Sequence, residues 1–122
     1  MYQNSRPNTN NINYQINKDI HEESNSILMS FDLSDVNLGY YDFIKRNIIN
    51  LLPGDELNIE EDVFVNNKRV GKLSKKGLEK LHLRQQKGYQ IKNIEVDNVV
   101  YWYNKEKEVE SLIMIPSIKL LK

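Results

Sequence analysis

"IKNIEVDNVVYWYNKEKEVESLIMIPSIKL", residues 91–120, decides the fold. In its first part Ile94, Val96, Val100 and Trp102 recur at a period of two, which places them on one face of a strand. "SLIMIPSIKL" is a second β-prone run, in which Pro116 marks an edge or a bulge because proline has no N–H to give a ladder. The lysine-rich "NKEKEVE" between them reads as a hairpin loop. The chain therefore ends on two strands joined locally.

Upstream, "SKKGLEKLHLRQQKGY", residues 74–89, carries its own helix ends. Ser74 suits an N-cap, and Leu73 and Leu78 occupy the two positions of a hydrophobic staple. Gly88 falls where the left-handed residue after a helix belongs, with Tyr89 placed to pack back on Leu83 or Arg84. The helix is predicted over 75–87. Leu78, Leu81 and either Leu83 or Gln85 face the core, with Lys75, Lys76, Lys80, Arg84 and Lys87 outside.

Further out, "DVFVNNKRVGKL" is two short β-prone runs about Asn66-Asn67, a pair that tolerates the positive φ of a tight hairpin. "DELNIEE" alternates Leu57 and Ile59 with charges, a half-buried strand. Tyr40, Phe43, Ile44, Ile48, Leu51 and Leu52 follow at helical spacing behind the capping candidates Asp32, Ser34 and Asp35, until Pro53-Gly54 stops the run. The order helix, three strands, helix, two strands makes an α+β domain over 27–122. It is expected to be a small, partly closed five-stranded β-barrel or curved antiparallel sheet with one or two helices. Residues 1–26, with Asn4, Asn8, Asn10, Asn11, Asn13, Asn17 and Asn25, read as a flexible tail, although alternating Ile12, Tyr14 and Ile16 leave a short added strand open.

Bulk properties narrow the function classes. A length of 122 residues allows one domain with one modest core, and 28% charged against 39% hydrophobic residues fits a globular rather than a membrane protein. The longest apolar run is about five residues, far short of the ~20 that span a bilayer. The first residues lack the apolar core of a secretory signal. With no cysteine there are no disulfides and no thiolate metal sites, which is compatible with the cytoplasm. His21 and His82 form no pair at metal-binding spacing, and there is neither a GxxxxGK[ST] nor a GxGxxG loop. The carboxylates Glu56, Glu60, Glu61 and Asp62 lack the glycine-shaped loop of a cation site and read as a solvated strand end. The expectation is a non-catalytic protein without cofactor or metal.

The positive signal is charge. Formal net charge is zero, yet residues 1–62 hold four Lys/Arg against eleven Asp/Glu while residues 63–122 hold thirteen against six. Between Asn66 and Lys92 lie Lys68, Arg69, Lys72, Lys75, Lys76, Lys80, Arg84, Lys87 and Lys92 against Glu79 alone. A nucleic-acid groove combines such cations for phosphates with aromatic faces for bases. Tyr89, Tyr101 and Tyr103 supply the candidates, the last two on the strand face opposite Trp102, which alternation assigns to the core. The competing readings are a lysine-coated solvent face and a protein-interaction module using the acidic segment 56–62 or the strand edge near Pro116.

Three stretches, "DVNLGYYDFIKRNIINLLPGDEL", "VGKLSKKGLEKLHLRQQKGYQIKNIEVDNVVYWYNKEKE" and "LIMIPSIKL", resemble the C-terminal accessory segment of bacterial RecQ-family DNA helicases. There a "DV.LG" helix leads to "GD.L", "VG.LS", "KGY", a "VV.W" strand and a terminal "LP.I.L", and the likeness covers about residues 33–121. The middle part, "GDELNI" to "NNKRVGKLSKKGLEKL", is also similar to a HIRAN domain, a small barrel that holds DNA ends. The Asn/Asp stretch that HIRAN domains carry between those strands has no counterpart, so their DNA-end pocket does not transfer. The resemblance implies a DNA-associated accessory role, on single strands or ends, beside a helicase motor or another protein partner.

Overall fold

A computed structural model of the chain describes residues 25–122. The predicted tail, apart from its last two residues, lies outside them. Six strands form one antiparallel sheet in the order β1-β6-β5-β2-β3-β4. They are β1 Ser26–Ser30, β2 Glu56–Glu60, β3 Val63–Asn66, β4 Lys68–Lys72, β5 Gln90–Asn104 and β6 Val109–Leu121. The sheet is curved and not closed. The expected five strands become six because Ser26–Ser30, assigned in part to the tail, pairs with β6.

β5 and β6 form the predicted hairpin and run in register from Gln90↔Leu121 to Asn104↔Val109. Two β-bulges interrupt the register on β5, between Ile91 and Asn93 and between Val96 and Asn98, and bulges increase local twist. In the connecting turn the Asn104 side chain accepts from the N–H of Glu106 at 3.0 Å, and Glu108 takes a positive φ. β6 lies between β1 and β5, and Ile113, Met114, Ile115, Pro116, Ile118 and Leu120 along it are buried. Pro116 sits opposite Val96, beside a bulge, as its missing donor requires. Asn67, at positive φ, turns β3 into β4.

Helix α2, Lys75–Gln86, has both predicted ends. Ser74 accepts from Gly77 N–H at 3.1 Å. At the other end Gly88 adopts φ +96°, Gly88 N–H donates to Gln85 O at 3.0 Å and Tyr89 N–H to Arg84 O at 3.2 Å, a Schellman closure. Its core face is narrower than predicted: Leu81 is buried and Leu78 half-buried, but Leu83 and Gln85 are exposed.

The predicted continuous helix over 40–52 does not form. In its place stand 3-10 turns at Leu33–Asp35 and Leu38–Asp42 and a single helical turn, α1, Lys45–Ile48. A 3-10 turn repeats every three residues rather than every 3.6, so the apolar positions do not share one stripe. Tyr41, Ile44 and Ile48 are buried, whereas Phe43 is 86% exposed and Ile49 and Leu52 also face solvent. Tertiary contact dictates this break. Buried Tyr41 donates its hydroxyl to Met114 O at 2.9 Å, and burial pushes that hydroxyl's pKa up so that it remains a donor.

The segment after β1 crosses to the far edge of the sheet. Val36 bridges Leu73 there, and Asn37 N–H donates to Lys72 O at 2.9 Å. α2 starts against the first 3-10 turn, where Ser74 N–H donates to Asp35 O and Ser74 Oγ to Ser34 O, both at 2.8 Å.

Candidate nucleic-acid interface

The basic residues singled out in the sequence divide by what they touch. Asp35 is completely buried and accepts from Asp32 N–H at 2.9 Å, the return arm of a capping box. Lys80 Nζ donates to the same carboxylate at 2.9 Å, and Lys76 Nζ lies 3.9 Å from its other oxygen. Lys76 also donates to Ser34 Oγ at 2.7 Å, and Lys80 stands 5.2 Å from the centre of the Phe31 ring. These two lysines hold α2 to the turn. Beside them the Asp32 carboxyl, accepting from Ser34, is held below its ordinary pKa. Lys72 is half-buried, 3.9 Å from Asp62 and 5.6 Å from the Tyr40 ring centroid. Lys75, Arg84 and Lys87 are exposed and make no ion pair among the described residues.

The tyrosines also separate. Tyr89 is half-buried against the core, with Lys122 Nζ 5.4 Å from its ring centroid. Tyr101 and Tyr103 are 78% and 52% exposed, and Trp102 between them packs on the core. The four residues expected on one face do not share it: the bulge between Val96 and Asn98 shifts the alternation by one residue, so Val100 and Trp102, opposite Ile113 and Ser111, lie on the face away from Ile94 and Val96. Tyr101 stands eleven residues beyond Gln90, roughly 35 Å along β5 from the strand's start at the helix C-terminus. The structure does not gather these tyrosines around the α2 lysines.

What it gathers around Tyr101 is a different set of cations. Lys45 and Arg46 of α1, with Ile49, Leu112, Glu110 and Tyr101, line a groove of about 230 Å³. Exposed Phe43 lies two residues before Lys45. α1 is held in place by Asn47, whose side-chain N–H donates to Arg69 O at 2.9 Å, while Ser111 donates to Asp42 at 2.9 Å just upstream. That first bond also ties the strand carrying exposed Lys68 and Arg69 to α1. Sequence reasoning missed Lys45, Arg46 and the exposed Phe43 because a continuous helix would have turned Phe43 inward. The available signal was Asn37, whose side chain accepts from Tyr40 N–H at 3.3 Å and starts a separate turn.

No family model, curated protein or solved structure matches this chain. Among the described residues no three His, Asp or Glu side chains converge as they would around a metal ion, and no helix is long and apolar enough to cross a membrane. His82 is exposed on α2, and Asp62 at the acidic strand end pairs with Lys72. The arrangement offers aromatic faces and cations for a polyanion.

Proposed function

We propose that the chain is a non-catalytic DNA-binding accessory module that acts in the cytoplasm on single-stranded DNA or DNA ends. In this reading it works beside a helicase motor in a bacterial repair or defence system. The observation that carries the reading is the groove in which Tyr101, with most of its ring in solvent, stands beside Lys45 and Arg46. An exposed ring flanked by cations is what a single strand needs, a stacking face worth roughly 1–3 kcal/mol per base and charges for its phosphates. The likeness of residues 33–121 to the RecQ accessory segment supplies the choice of DNA and of a motor partner.

Relative to the sequence reading, the proposed contacts shift. Tyr101 and Tyr103 keep the stacking role, Lys45 and Arg46 join, and Lys68, Arg69 and Lys75 remain as phosphate contacts, while Arg84 and Lys87 lie away from them beside β1. Lys76, Lys80, Lys72 and Tyr89 have internal partners and contribute mainly to structure. Anisotropy of a labelled 20-nucleotide single strand, titrated at two salt concentrations, tests the proposal. Binding whose log constant falls by roughly 0.7 per phosphate contact with each unit of log salt supports it. No binding at low salt overturns it.

A further inference from the structure

A second groove, of about 410 Å³, lies between β1 and α2. It is lined on one side by Ile27, Leu28, Met29 and Ser30 and on the other by Lys80, Leu83, Arg84 and Lys87. The four β1 residues are consecutive. Neighbouring side chains on a strand point to opposite faces, so a cavity that touches four in a row runs along the strand's edge rather than over one face. β1 is the last strand of the sheet among the described residues, with β6 on its inner side. The groove therefore opens onto main-chain groups of Ile27–Met29 that face away from β6, while at its end α2 reaches the strand, where Lys80 Nζ donates to Ser30 O at 3.4 Å.

Natural sheets guard such an edge with lysine, proline, a bulge or a covering element. β1 reads Ser-Ile-Leu-Met-Ser, pairs with β6 without a break, and leaves Leu28 66% exposed. Its cations come from the opposite wall. Among the described residues Arg84 and Lys87 have no acidic partner and no acidic side chain lines the groove, and Leu83 beside Arg84 is 59% exposed. An apolar strand edge faces a basic helix wall across a channel about as long as four extended residues.

We propose that this groove binds an extended acidic peptide segment of a protein partner, added as a further strand alongside β1. Its main chain would pair with Ile27–Met29, apolar side chains would rest on Leu28 and Leu83, and carboxylates would meet Arg84 and Lys87. Strand addition gives affinity through main-chain hydrogen bonds and selectivity through alternate side chains. A peptide fits the lining better than a nucleic acid, because among the described residues no aromatic face borders the channel. This inference does not rest on DNA binding, whose groove lies beside α1 at the far end of β5.

The test uses the full chain and a fluorescein-labelled octapeptide alternating glutamate and valine, followed by anisotropy. A saturable signal is expected. It should weaken at least tenfold when proline replaces the valines, which keeps the charge but removes main-chain donors, and at least tenfold in the Arg84→Glu/Lys87→Glu variant. Equal binding of the proline peptide would reduce the effect to charge attraction and overturn the proposal, as would no binding or an unaffected variant. Displacement of the peptide by an equimolar thymidine octanucleotide would assign the groove to nucleic acid. A concentration-dependent dimer in sedimentation that excludes the peptide would assign it to a second copy of the chain. Either result also overturns the proposal.

Discussion

Lys80 is one of several lysines on a helix and reads in the sequence as an outward-facing phosphate contact, yet its ammonium reaches a carboxylate that has no solvent exposure at all. A charge withdrawn from water must be repaid by a partner, and removing one member of such a pair costs more than the pair contributes. Lys80 keeps 40% of its side chain in solvent, so the usual loss for a buried pair shrinks to about 1–3 kcal/mol. Lys80→Ala should therefore lower unfolding stability in urea by that amount, and Lys75→Ala, which breaks no ion pair, by less than about 0.5 kcal/mol. Equal midpoints for the two variants would mean that Asp35 finds compensation elsewhere. Spacing alone could not distinguish these lysines, because the carboxylate that selects Lys80 lies 45 positions upstream.

Glycine in a helix interior ordinarily costs about 1 kcal/mol relative to alanine, so Gly77→Ala would be expected to stabilise α2. Here the sign reverses. A Cβ at 77 would overlap the carbonyl oxygen of Asp35, a main-chain atom with little freedom to move, and would also crowd Leu73. Gly77→Ala should destabilise by about 1–3 kcal/mol, read from the thermal midpoint, as overpacking does. A raised midpoint would show that the helix can slide off the turn without loss. The helix itself was legible down to Ser74 and Gly88, because caps are local chemistry between residues a few positions apart. The β5–β6 hairpin and the exposure of Tyr101 and Tyr103 were legible for the same reason, from alternation over residues 100–103, but the bulge between Val96 and Asn98, which puts Val100 and Trp102 on the face opposite Ile94 and Val96, was not. Nor was the segment 38–48. Its conformation follows from Tyr41 reaching Met114, 73 residues away, which pins a 3-10 turn where hydrophobic spacing alone suggests a helix. β1 was missed because Ile27, Leu28 and Met29 are three apolar residues in a row, with no period-two alternation to mark a strand.

Across the whole molecule, a long central hairpin separates two surfaces. One end of β5 meets α2, whose exposed cations face the edge of β1; the other carries Tyr101 and Tyr103, with α1 and its cations beside Tyr101. The charge run that dominates the sequence is thereby divided among a structural junction around Asp35, a basic wall along the β1 groove and scattered phosphate contacts. Half of the candidate site was legible, the exposed tyrosines, while the cations beside them had to be supplied by a segment whose fold the sequence concealed. A single-stranded ligand would feel Tyr101 most, because duplex bases are already stacked on one another. Binding of a labelled thymidine 20-mer and of a 20-base-pair duplex to wild type and Tyr101→Ala, side by side in low salt, is the most direct test of the proposed interface. The account predicts a loss of roughly 5- to 150-fold on the single strand, corresponding to about 1–3 kcal/mol, and less than about twofold on the duplex. Unchanged single-strand affinity, or an equal loss on both, would contradict it.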